Sequence, residues 1–293
     1  MGFKDYLVLA IGLVGSTLVT YWVIVDKSLG WSRTLTFSPV FAMTLSFGAA
    51  IAFALVVIVA MPDNSERMHH IDLKPGDVGR YVFLPGDPGR TERIAALFDD
   101  PQEMAYKREY RTFTGTLLGE KVSVTSTGIG CPSAAIAIEE LIMLGADTFI
   151  RVGTAGALQP HIVPGELAIV NGAIRDEGTS KHYMPVEFPS VADIDVVQAL
   201  RESADELGVA YHVGISHCKD SFYGQHAPER MPVANFLLDR WDAWIKGAAI
   251  CSEMESAILL LLATIYRKRA AGVMLMGINQ TAPEPMEPMR DQT

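Results

Sequence analysis

From Tyr6 to Val25 the chain runs for 20 residues without a charged side chain. As a helix rising 1.5 Å per residue, that run spans about 30 Å, the thickness of a bilayer core. A second uncharged run extends from Thr34 to Met61, and a short polar connection, Asp26–Arg33, lies between the two. Trp22 and Trp31 fall where a membrane interface would be expected. The first run is too long for a signal peptide and is followed by a second. A buried hairpin would need two helices apolar all round. Residues 1–61 are therefore expected to form a two-helix transmembrane hairpin, an anchor without the intramembrane charge that transport would need. Two spans leave both ends on one side. Arg67, Lys74 and Arg80, close after the second run, make that side cytoplasmic.

At Pro62 the sequence changes character. Residues 1–61 carry a net charge of +1 within a total of −10, which leaves −11 for the rest. Residues 62–67 (Pro-Asp-Asn-Ser-Glu-Arg) read as a linker to a domain at 68–293. With 49% hydrophobic and 20% charged residues, disorder is excluded as the general state. The acidic balance argues against a nucleic-acid partner. Cys131, Cys218 and Cys251 lack the spacing of a disulfide framework or thiolate zinc site and fit a reducing compartment.

In the larger domain, strand-like and helix-like patterns alternate. Strands are predicted at Tyr81–Leu84, Lys121–Ser126, Thr148–Val152, Glu166–Val170, His212–Ser216 and Val273–Ile278. Helices are predicted at Thr91–Phe98, Ser133–Leu144, Ala192–Leu207, Val233–Lys246 and Ser256–Arg267. The last is apolar but too short to span a membrane, so it reads as a core helix. The alternation indicates an α/β fold with a largely buried sheet.

Four places concentrate chemistry. Pro85-Gly86-Asp87-Pro88-Gly89-Arg90 joins a strand to a helix, combining close backbone approach, helix-start amides and a fixed charge that suit an oxyanion. Thr127-Gly128-Ile129-Gly130 is only a partial dinucleotide fingerprint. Arg151-Val152-Gly153-Thr154-Ala155-Gly156 puts an arginine and a hydroxyl at a strand end, followed by an expected glycine turn. Glu253-Met254-Glu255 places two acids on one side only while the chain is extended. His161, His182, His212 and His217 have no mutual metal-ligand spacing and read as structural or surface residues.

From about His69 to Ala282 the chain resembles uridine phosphorylases of the nucleoside phosphorylase family. The matching stretches are Pro85–Arg90, Arg108-Glu109, Ser126–Ser133, Ile150–Ala157, Phe222–Arg230 and Glu253–Ser256, in the family's order. The resemblance implies a mixed central sheet flanked by helices and phosphate-dependent cleavage of uridine to uracil and ribose 1-phosphate. It implies a phosphate site of Gly86, Arg90, Arg151 and Thr154, with Arg108 lent by a neighbouring subunit. Ribose would be held by Met254 and Glu255, with Glu253 beside them and His70 also lent across a dimer or hexamer interface. Phe222 and Gln225 would hold the pyrimidine, so Arg90, Arg151, Gln225 and Glu255 are the expected catalytic set. No cofactor is required, although Glu109, Ile129 and Ser133 match a structural potassium site of the family.

Two departures stand out. Many relatives carry an arginine two residues beyond the glutamine. Here Ala227 stands there, leaving Lys219, His226 and Arg230 as alternatives for the base contact. Relatives also continue into a long C-terminal helix, where this sequence has a Pro/Met-rich tail. Met276–Gln280 contains no acid, which favours a pyrimidine over a purine. The alternatives are a purine nucleoside phosphorylase, a nucleosidase using water, or an inactive membrane-tethered nucleoside-binding protein.

Overall fold

The computed structural model describes residues 67–281 and three strand segments before them, Val8–Leu9, Val19–Ile24 and Ser32–Phe37. The chain divides into two compact units, Met1–Asn64 and Ser65–Thr293. In the first unit the three segments pair antiparallel, with Leu9 opposite Trp22 and Val19 opposite Phe37. Val19, Thr20, Val23 and Ile24 are β-branched, which suits a pleated surface. Apart from these three segments, the expected helical hairpin at 1–61 lies outside the described residues. So does the tail beyond Thr281. No helix among the described residues is long and apolar enough to cross a membrane.

The second unit is an α/β domain on a ten-stranded mixed sheet. Its strands are β1 (Tyr81–Leu84), β2 (Asp99–Lys107), β3 (Tyr110–Leu117), β4 (Glu120–Thr125), β5 (Thr148–Ala157), β6 (Leu167–Asp176), β7 (Ser190–Val191), β8 (Tyr211–Lys219), β9 (Cys251–Glu253) and β10 (Arg269–Asn279). The helices are α1 (Gly89–Ala95), α2 (Cys131–Met143), α3 (Ile194–Leu207), α4 (Phe222–His226), α5 (Ala234–Lys246) and α6 (Ser256–Ile265). The sheet runs β7-β6-β8-β9-β5-β1-β4-β3-β2, and β10 pairs with both β5 and β6. That second pairing closes β6, β8, β9, β5 and β10 into a ring.

Local chemistry explains the helix ends. Asp193 accepts hydrogen bonds from the Asp195 and Val196 amides at the start of α3, and Gly208 ends that helix at φ 66°. The helix α6 is apolar around its circumference because it is enclosed. Ala257 through Ala263 are all buried, in one core with Ile138 and Leu141 of α2 and with Phe149. The expected core helix is therefore present.

The glycine turn expected at Gly153–Gly156 is a correction. There β5 continues to Ala157, because β10 pairs alongside it as far as Asn279 opposite Ala157. The hairpin β2–β3 is absent from the sequence-based reading. The outer strand β2 begins Asp-Asp-Pro-Gln-Glu, all exposed, and has no alternation to betray it.

Candidate active site

A cavity of about 810 Å³ opens where β1, β4, β5, β8, β9 and β10 end or run on beyond the sheet's centre. That is the position expected of a ligand site in an α/β sheet. The turn after β1 brings Gly86 and Arg90, and the turn after β4 brings Gly128 and Ile129. These turns press together. A Cβ at Gly86 would lie 3.2 Å from the Gly128 carbonyl oxygen. One at Gly128, where φ is +69°, would lie 2.7 Å from both Glu109 Cγ and Ser133 Oγ. The Asp87 carboxylate accepts from the Gly89 amide at 2.8 Å and fixes the start of α1, so Arg90 leaves that helix at the cavity wall.

Arg151 is the centre of charge. Held on β5 between Leu84 of β1 and Gly272 of β10, it is 5% exposed. Its Nε donates to Glu253 Oε2 at 3.0 Å, and its Nη2 pairs with Glu255 Oε2. Its Nη1 is buried with no hydrogen-bond partner among the described residues, a donor left for an anion. The two acids do share one side, as their extended spacing predicts, but their roles differ. Glu253 accepts from the Glu255 and Ser256 amides at 2.8 and 2.9 Å and so secures the start of α6. Burial works against its charge, yet Arg151 and those amides hold its carboxyl below the usual range. Glu255 accepts from the Gly130 amide at 2.5 Å. Burial and the adjacent Glu253 charge hold its carboxyl above the usual range despite Arg151.

The other end of the cavity is formed by Lys219, Phe222, His226, Ser252 and Gln280. Lys219 is 7% exposed and donates to Ser252 Oγ at 2.8 Å. Burial pulls its pKa down, against the nearby Glu253. The rings of Phe222 and His226 lie 4.2 Å apart at 33°, forming an aromatic wall. Burial and the Lys219 charge keep the His226 pKa below its usual value.

Most of the expected site residues converge. Gly86, Arg90, Arg151, Thr154, Phe222, Glu253, Met254 and Glu255 line the one cavity, as do Glu109, Ile129 and Ser133. Gln225 stands behind its wall, joined to it through Ser252 and Gln280. Three residues are placed elsewhere within this chain. His70 pairs through Nδ1 with Glu140 Oε1 at 2.6 Å. Arg108 sits exposed at the β2–β3 turn with φ 57°. Arg230 is exposed, its guanidinium 5.8 Å from the Tyr223 ring centre. Of the alternatives for the base contact, Lys219 and His226 are in the cavity lining and Arg230 is not.

Glu109 and Ser133 meet at 2.8 Å, and both are oxygen donors of the kind hard cations prefer. Together with an Ile129 carbonyl they supply fewer than the roughly six oxygens such cations gather. One chain alone does not complete a potassium site. Ser252, Gln280 and His217 have no part in the sequence-based site. Ser252 adjoins Glu253 on a three-residue strand, which is the one cue the sequence offered.

A buried arginine with an unused donor, two carboxylates and an aromatic wall thus meet at one cavity at the mouth of a mixed sheet. The phosphorylase superfamily profile matches residues 80–291, and the chain belongs to that family. It is 54% identical over 218 residues to a uridine phosphorylase of Treponema pallidum, covering 74% of this chain and 84% of that protein. A uridine phosphorylase of Thermococcus kodakarensis is 51% identical over 226 residues, 76% of this chain and 82% of the relative. A guanosine phosphorylase of Halorubrum lacusprofundi is 38% identical over 217 residues, 74% and 85% of the two chains.

Replacing Arg151 by Met should leave two buried carboxylates without their cation. Breaking a buried pair in this way costs about 3–5 kcal/mol. Glu255 already titrates above its unfolded value, and losing Arg151 raises it further. A raised acid stabilises the fold below its unfolded pKa and loses that contribution as pH rises. The defect should therefore be smaller at pH 5 than at pH 7.5, as read from urea unfolding midpoints.

Proposed function

We propose that the protein is a uridine phosphorylase, cleaving uridine with phosphate to uracil and ribose 1-phosphate. The observation that carries this reading is the buried Arg151, tied to Glu253 and Glu255 with one donor unused, beside Arg90 and the paired glycine turns. A phosphate oxygen attacks the anomeric carbon as the bond to uracil N1 breaks, through an oxocarbenium-like state. The new bond is carbon to phosphate oxygen, and the electron pair of the broken bond leaves on uracil. Arg90, Arg151 and Thr154 hold the phosphate in line, contributing through position as much as through attraction. Glu255 and Met254 hold the sugar. Lys219, close to Ser252 and Gln225, supplies positive charge where the departing base gains negative charge. After β10 the cavity residue is Gln280, an amide where a purine-directed site would place an acid, which favours a pyrimidine base.

The test is uracil release from uridine with and without phosphate. Strict dependence on phosphate is expected. Equal release in its absence would make the protein a nucleosidase, and faster turnover of inosine would reverse the base assignment.

Arg108 and His70 lie outside their own chain's cavity lining, which supports sites completed by a neighbouring copy in at least a dimer. Mixing Arg108→Ala subunits with Arg90→Ala subunits should then restore part of the activity. Mixed oligomers as inactive as the separate variants would refute shared sites.

Lys219 should act protonated, and its lowered pKa sets the sign of the pH response. Activity should fall with rising pH before an ordinary lysine would titrate. Lys219→Arg, if active, should move that alkaline limb upward in a kcat/KM profile. An unmoved limb would assign it to another group.

A further inference from the structure

The resemblance gives Gln225 the edge of the base to read, and behind the cavity wall one partner engages each end of its amide. Ser252 Oγ donates to Gln225 Oε1 at 2.7 Å. Gln225 Nε2 donates to Gln280 Oε1, also at 2.7 Å. An amide carries two acceptor sites on oxygen and two hydrogens on nitrogen. One of each remains, side by side. That pair matches an edge presenting N–H next to C=O, and it opposes an edge presenting a bare nitrogen next to an amino group.

A solitary glutamine could turn over and serve either edge. Here the turn is coupled. If the amide reversed, its Nε2 would face Ser252 and its Oε1 would face the Gln280 Oε1, acceptor against acceptor. Gln280 would have to reverse too, although its own Nε2 is shared with the His226 ring nitrogens at 3.2 and 3.3 Å. Ser252 would have to redirect its single hydrogen. Its oxygen already accepts from Lys219 Nζ at 2.8 Å, a group that only donates. The remaining neighbour, His217 Nδ1, is farther away at 3.2 Å.

His217 itself is fixed from behind. Its Nε2 lies 2.9 Å from Asp176 Oδ2, while Asp176 Oδ1 is taken by Arg240. Trp241 and Trp244 flank the imidazole with ring centroids 5.9 and 6.0 Å away. Asp176 and His217 stand in line behind Ser252, whose one hydrogen goes to the Gln225 carbonyl oxygen. Gly156 serves the other end, since a Cβ there would stand 2.8 Å from the Gln280 amide.

We infer that Ser252, backed by His217 and Asp176, is a positioning residue that fixes the polarity of the Gln225 amide and so selects a uracil over a cytosine edge. This rests on the reading of the protein as a uridine phosphorylase. Hydrogen-bonded chains of this kind strengthen cooperatively, so the amide is held more firmly than by two isolated bonds.

The experiment compares kcat/KM for uridine and for cytidine, with phosphate saturating, in the wild type, Ser252→Ala and Ser252→Thr. In Ser252→Ala the amide loses its partner at oxygen, and the uridine-to-cytidine preference should fall about tenfold or more. KM for uridine should rise while KM for phosphate and the melting temperature stay near wild type. Ser252→Thr, which keeps the hydroxyl, should recover much of the preference. A third variant, His217→Gln, should lower the preference less than Ser252→Ala. An unchanged preference in a folded, active Ser252→Ala protein would overturn the inference. Equal loss in Ser252→Ala and Ser252→Thr, with folding intact, would also overturn it. A wild type that does not cleave uridine would instead overturn the functional reading.

Discussion

Everything in the cavity is arranged around one buried guanidinium. Arg151 cannot stand in a closed sheet without countercharge, and Glu253 and Glu255 supply it from the short stretch just before α6. Two carboxylates on one cation leave excess negative charge, and Lys219 lies near enough to feel both acids. The strand β5, the short strand β9 and the helix α6 are therefore locked together by electrostatics as well as packing. A ligand anion would meet a cation whose geometry is already set, which is the condition under which charge contributes most to reaction rate.

The two ends of the cavity are built on different principles. At one end, backbone does the shaping: the turns around Gly86 and Gly128 approach so closely that side chains are excluded. At the other, side chains do it, through Phe222 stacked beside His226 and a polar chain running from Asp176 to Gln280. The first arrangement suits a small symmetrical anion recognised by charge and size. The second suits a planar group recognised by the order of its donors and acceptors. Leu84, Arg151 and Gly272 in register across three parallel strands keep the two ends at a constant separation.

What was legible in the sequence was local. The glycine turns around Gly86 and Gly128, the acid pair before a helix and the apolar run of α6 each announce themselves within a few residues. The arrangement that escaped a linear reading is non-local. Ser252 meets its partners Gln225, Lys219 and His217 from 27, 33 and 35 positions away, with no periodicity to join them. The ring closes because β10 pairs with both β5 and β6, and that pairing turns an expected glycine turn into strand. The strand β2 was invisible because its polar, exposed beginning satisfies neither helical nor alternating patterns. The two uncharged N-terminal runs were conspicuous, but only their short strand segments fall within the described residues.

The two borders of the sheet have opposite designs. At one, β7 is only two residues long, too short to template a further strand. At the other, β2 is long, but it carries Asp99, Asp100 and Glu103 outward, contains Pro101, and breaks register with its partner twice. A flat, apolar border of that length would invite strand-to-strand growth and fibrous aggregates. With both margins blunted, a further copy of the chain has no ladder to extend. Copies that do associate are left to recognise one another through side chains, whose shape and charge fit few partners, rather than through a backbone ladder that any extended strand can join.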